Sequence, residues 1–133
     1  MNLQEWTLHH INHLNSFRKN LLKKTINEDE IICDYKDKGQ ITYLIYDNLA
    51  DLVFDNINTG TFVVVCLNKK ENVLVLTKEW NKFIKNNEVK ILFVNPELNK
   101  NWSINPSLHN KFCDTKNLKM GLLSLFEQIP EVK

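Results

Sequence analysis

The sequence predicts an α/β protein with a mixed sheet, and three observations carry that reading. Phe62-Val63-Val64-Val65-Cys66-Leu67 and Val89-Lys90-Ile91-Leu92-Phe93-Val94 are short, largely β-branched runs, the pattern of strands in a sheet covered on both faces. Between them Val73, Leu76, Trp80, Phe83 and Ile84 recur at helical spacing, so they share one face of a crossover helix. Upstream, Glu30 to Lys36 and Gln40 to Tyr46 alternate with a period of two about Asp37-Lys38-Gly39, which is a β-hairpin signature. The expected architecture is a three-layer α/β/α sandwich over a mixed sheet of about four strands. All 133 residues fall in a single domain, large enough to bury a core.

Taken in order, Asn2 to roughly Asn27 reads as one amphipathic helix with Leu3, Trp6, His10, Leu14, Phe17 and Leu21 on a stripe. Leu8, Ile11, Leu22 and Ile26 form a second stripe. A helix apolar on two sides has two things to touch: one is the sheet, and the other is either the C-terminal helix or a second copy of the protein, a homodimer through this helix. After the hairpin, Asp47 to Ile57 reads as a short helix capped by Asp47, with Leu49, Leu52, Val53 and Ile57 inward, ending near Gly60.

Asn68 followed by Glu71 resembles a capping box at the start of the crossover helix. The flanking strands then run parallel with a right-handed connection. A rival reading makes Val73 to Thr77 a strand paired with Thr61 to Leu67 and leaves Thr77 to Asn87 helical. Asn95 to Asp114 has no sustained period but repeats Asn-Pro-x-Leu at Asn95 and Asn105. Asn as cap with Pro at the first helical position predicts two short helical turns about an extended Trp102-Ser103-Ile104. Asp114 or Thr115 then caps a closing helix with Leu118, Leu122, Leu125, Phe126 and Ile129 inward. Gly121 inside it predicts close approach of a neighbouring element.

Composition narrows the function. Seventeen Lys and Arg against sixteen Asp and Glu give a formal net charge of +1, which supplies no field for holding nucleic acid or an anionic membrane. Cys33, Cys66 and Cys113 are odd in number and widely spaced, so free thiols in a reducing compartment are expected rather than a disulfide framework. No leader or membrane-length run is evident, and the expected address is cytoplasmic. Gly39, Gly60 and Gly121 stand far apart; a glycine-rich phosphate loop is absent and no cofactor is expected.

Ligands of open α/β sheets sit beyond the carboxyl ends of the strands. Asp47, Asn68 and Asn95 each follow a predicted strand, and the irregular segment beside them carries Trp102, Asn105 and His109. These six residues form the candidate ligand site, where helix amino-termini would offer amides to a small polar or anionic ligand. The alternative is that the three caps are only caps.

Three other constellations have plain structural roles as well as chemical ones. Asp47, Asp51 and Asp55 fit a cap and a wet helix face better than paired catalytic carboxylates. His9 and His13 stand four apart, but no matching ligand pair accompanies them, so no metal site is expected. His109, Cys113 and Asp114 could be drawn as base, thiolate and orienting acid, yet spacing alone supplies no oxyanion donor.

Glu88-Val89-Lys90 opens a core strand and over those three residues resembles the acidic-x-Lys half of the restriction-endonuclease-like nucleases. The resemblance implies a metal shared between Glu88 and an upstream Asp47 or Asp55, with Lys90 orienting the attacking water. Catalytic residues otherwise remain unassigned. The leading expectation is a non-catalytic binding or assembly module with a protein partner or a small polar ligand. The alternatives are a ligand or enzymatic site at the strand ends and a metal-dependent nuclease.

Overall fold

A computed structural model describes residues 1–133. The chain is a mixed α/β fold of five α-helices and a six-stranded sheet. Helix α1 (Leu3–Arg18) is followed by strands β1 (Leu21–Ile26), β2 (Glu30–Tyr35) and β3 (Gly39–Ile45). Two 3-10 turns, Leu49–Asp51 and Phe54–Ile57, lead to β4 (Thr61–Leu67), α2 (Lys70–Lys78), α3 (Trp80–Phe83) and β5 (Val89–Asn95). Strand β6 (Lys100–Ile104), α4 (Pro106–Phe112), a 3-10 turn and α5 (Leu118–Phe126) complete the chain.

The strands lie in sequence order, β1 to β6. β3, β4 and β5 run parallel, with Tyr43 opposite Val63 and Val63 opposite Lys90. β1, β2 and β6 are antiparallel to their neighbours. The hairpin and the parallel pair expected from the sequence are both present, and the sheet gains a strand at each edge.

Strand β1 replaces the last third of the expected N-terminal helix. Helix α1 stops because Lys19 turns left-handed, with φ 51° and ψ 36°, and Asn15 captures the following chain. Its carbonyl accepts from the Lys19 amide at 2.8 Å and its side chain accepts from the Leu21 amide at 3.0 Å. Leu22 and Ile26, half of the second apolar stripe, therefore belong to an edge strand, where they are 64% and 51% exposed.

The crossover between β4 and β5 is helical throughout, which settles the rival strand reading of Val73 to Thr77. It is broken at Glu79, whose φ of −100° and ψ of 18° separate α2 from α3. Asn68 does not cap it: Lys69 occupies the cap position, without a side-chain bond. The stretch after Asp47 forms two 3-10 turns rather than one helix, with Leu49, Leu52 and Ile57 buried and Val53 53% exposed. The first Asn-Pro repeat is a tight β5–β6 connection, while the second starts α4 as expected, with Asn105 accepting from the Leu108 amide. Gly121 has nothing within 4 Å of where a Cβ would stand, so the close approach expected there is absent.

Alternate residues of the central strands point to opposite faces and build two cores. Val64, Cys66, Ile91 and Phe93 join α2, α3, α5 and the 3-10 turns. Val65, Leu92 and Val94 join Leu3, Trp6 and Ile11 of α1. Both parallel connections lie with the first core, as two crossovers of one hand require when strands are laid down in one direction. That leaves α1 alone on the other face of six strands. No helix is long and apolar enough to cross a membrane.

Candidate functional site

The parallel strands bring Asp47, Asn68 and Asn95 to one rim, beyond Ile45, Leu67 and Val94. What occupies that rim is the chain itself. Asn68 is fully buried, and its side-chain N–H groups face the carbonyls of Ile129 and Pro130 at 3.4 and 3.2 Å. Asn95 donates to the Pro130 carbonyl at 3.1 Å, and the Asn68 carbonyl accepts from the Val132 amide at 3.0 Å. The α2 amino-terminus takes an anion from the same segment: the Lys70 amide donates to the Glu131 carboxylate at 3.2 Å.

Asn72 joins the Asp47 turn to β4, donating to the Asp47 and Leu67 carbonyls and accepting from the Leu49 amide. Burying such amides without partners would cost about 1–3 kcal/mol each; here each is satisfied. The rim keeps a cavity of about 210 Å³ beside Leu3, Asp47, Pro96 and Val132.

Trp102 belongs to this rim, whereas Asn105 and His109 do not. Because β6 is antiparallel to β5, Trp102 pairs with Phe93 and Ile104 with Ile91, so the chain has reached the opposite rim by Asn105. There Asn105 donates to the Asn87 carbonyl at 3.2 Å. His109 packs edge-on against Trp80, whose indole donates to Asn110 at 3.0 Å.

The second concave region lies between α1 and the sheet. Only Leu3, Trp6, Thr7 and Ile11 of α1 are buried, all in its first nine residues, and Phe17 near its end is 75% exposed. Trp6 holds the near end down, its indole donating to Asn99 in the β5–β6 turn at 2.8 Å. The far half stands off the sheet and leaves a groove of about 410 Å³, within the size range of small-molecule sites.

The groove's residues follow from periodicity. His10, Leu14 and Arg18 come from one helix face at a spacing of four. Alternate strand residues form the floor: Ile41 and Tyr43, Thr61 and Val63, Lys90 and Leu92, Asn101 and Ser103. Glu88 and Asn105 stand at the open end. His10 stacks on Trp6 at 4.8 Å. Burial, then the nearby charges of Lys90, His13 and Arg18, hold its pKa below the usual histidine value. Burial lifts the Tyr43 phenol above its ordinary value.

Of the six sequence candidates, only Asn105 touches this groove. Arg18, Asn101 and Ser103 escaped the sequence reading, although polar residues alternating along β6 are the cue that could have found the last two; Lys90 entered it only through the nuclease resemblance, not as a groove residue. His9 and His13 face a neighbouring depression with Trp6, His10, Asn99 and Asn101. No group of three His, Cys, Asp or Glu side chains converges as metal ligands would. Cys113 is exposed, Cys33 and Cys66 are buried, and burial raises the pKa of the Cys66 thiol far above its ordinary value. Glu88 and Lys90 share the groove, while Asp47 follows β3 at the opposite rim and Asp55 does not line the groove. No protein-family model, no curated protein and no solved structure matches the chain.

Proposed function

We propose that this chain is a non-catalytic binding module whose ligand site is the groove between α1 and the sheet. One observation carries the reading: α1 is buried only through its first nine residues, so polar and apolar side chains from four strands converge beneath its raised half. Binding sites commonly combine an apolar floor with a few convergent polar groups. The strand-end rim, where ligands of open α/β sheets usually sit, is held by Ile129 to Val132.

A thermal-shift panel of metabolites, run on the parent and on Ser103→Trp, tests this. Ser103 is exposed on β6, so a bulky side chain there fills the groove without disturbing either core. Compounds that stabilise the parent and fail with the variant support the reading; hits unaffected by Ser103→Trp contradict it.

Assembly through α1 is a narrower form of the same reading and rests on Phe17, exposed at the free end of the helix. A dimer in sedimentation that becomes a monomer in Phe17→Glu supports it, and a monomer in both removes it. The nuclease reading keeps Glu88 and Lys90 together in the groove, but Glu88 is the only carboxylate lining it. Two-carboxylate metal chemistry therefore lacks its second ligand there. Magnesium-dependent plasmid cleavage lost in Glu88→Ala would restore that reading.

A further inference from the structure

We propose that the groove takes a small organic anion, a carboxylate or phosphate ester on a flat apolar body, with its charge lodged between Arg18 and Lys90. This rests on the groove being the ligand site and adds the chemistry of what enters it. Arg18 reaches in from the end of α1 and Lys90 from the start of β5, one basic residue from the helix wall and one from the sheet floor of the same cleft. Neither is neutralised by the protein: the chain's only salt bridge is Lys82–Glu79, at 3.0 Å on the other side of the fold. Glu88 lines the same cleft without pairing with either.

Two unpaired cations lining one concave cleft focus their field on it and attract an anion more strongly than the same charges spread over a flat surface. Arg18 offers a planar fork suited to carboxylate or phosphate, and Lys90 a point charge. Asn101 and Ser103 supply neutral polar groups along one side, while Leu14 of the helix wall and Ile41 and Val63 of the floor leave an apolar surface for the body of the ligand. His10 faces the same space among Trp6, His13 and Arg18 of α1, Lys90 of β5 and Asn101 of β6. Burial first, and the charges of Lys90 and Arg18 after it, oppose its protonation, so an anion that neutralises those charges favours it, and binding draws a proton onto His10.

The test compares benzoate, phenyl phosphate and neutral benzamide by NMR titration of the full chain. Both anions are expected to shift the Lys90, Asn101 and Ser103 amides and to bind at least about tenfold more tightly than benzamide, a difference of about 1.4 kcal/mol. Lys90→Met and Arg18→Gln, at exposed positions, should each erase most of that preference while the benzamide shifts persist. The His10 ring should titrate at higher pH with an anion bound. Tighter phenyl phosphate assigns the site to phosphate esters, and tighter benzoate to carboxylates. If benzamide binds the groove as well as the anions do, the anion inference fails and the binding site stands. If none of the three moves groove resonances, both fail.

Discussion

The Trp102 indole N–H donates to the side-chain oxygen of Asn68 at 2.8 Å, joining strand β6 to the end of β4 across the fully buried tip of the sheet. The same indole lies flat on Phe93, with ring centroids 4.2 Å apart and planes within 4°. One residue thus fills the core and satisfies the amide that also grips Ile129 and Pro130.

Trp102→Phe keeps an aromatic ring on Phe93 but leaves the Asn68 oxygen unpaired in a dry site. Equilibrium urea unfolding should show a loss of about 1–3 kcal/mol. A loss below about 0.5 kcal/mol, the range of ordinary surface changes, would mean that the bond does little for the rim.

Lys19→Gly should stabilise the protein by about 0.5–1 kcal/mol, because a side chain in the left-handed region is strained where glycine is not. The sign is the informative part. Were Lys19 inside one continuous helix, glycine would instead cost about 1 kcal/mol, so the denaturation midpoint distinguishes a helix that ends at Arg18 from one that runs on.

That position also shows why part of the fold was legible in the sequence and part was not. The parallel pair and the crossover declared themselves because both strands are apolar on two faces and the helix between them repeats cleanly. β1 was hidden because Leu21, Leu22 and Ile26 continue the phase of α1, and no glycine or proline marks the break at Lys19 and Asn20. β6 was hidden because Asn101 and Ser103 alternate with Trp102 and Ile104 in a strand of only five residues. Asn68 was expected as a helix cap, since nothing local indicates that residues near 130 will return to meet its side chain. Asn95, Asn68 and Asp47 shared a rim as expected; Asn105 and His109 did not, because the antiparallel turn of β6 carries the chain back across the sheet.

The three thiols should separate by burial. Cys113 is exposed while Cys33 and Cys66 are buried, and burial raises both buried thiols above the usual range, disfavouring the reactive thiolate. A disulfide-exchange reagent should label one thiol per native chain rapidly and three after denaturation. Rapid native labelling at Cys33 or Cys66 would indicate that the sheet opens locally.

Acid should weaken the fold through His10. Its pKa is depressed by burial first and by Lys90, His13 and Arg18 after that. The unfolded chain therefore binds the proton more readily, and stability present above about pH 6.5 is lost as pH falls through the lower folded value. The urea midpoint of the parent should decline over that window more than that of His10→Asn, and Lys90→Met should raise the His10 pKa measured by NMR. Identical pH profiles for parent and His10→Asn would remove His10 as the cause.

The most direct measurement of the central claim is amide shift mapping of the full chain against a mixed set of small-molecule fragments. A ligand site under the raised half of α1 requires that binders move Tyr43, Val63, Lys90 and Ser103 together, from four neighbouring strands. Shifts confined to Asp47, Asn68 and Val132 at the opposite rim, or none in the groove at saturating fragment, would contradict it.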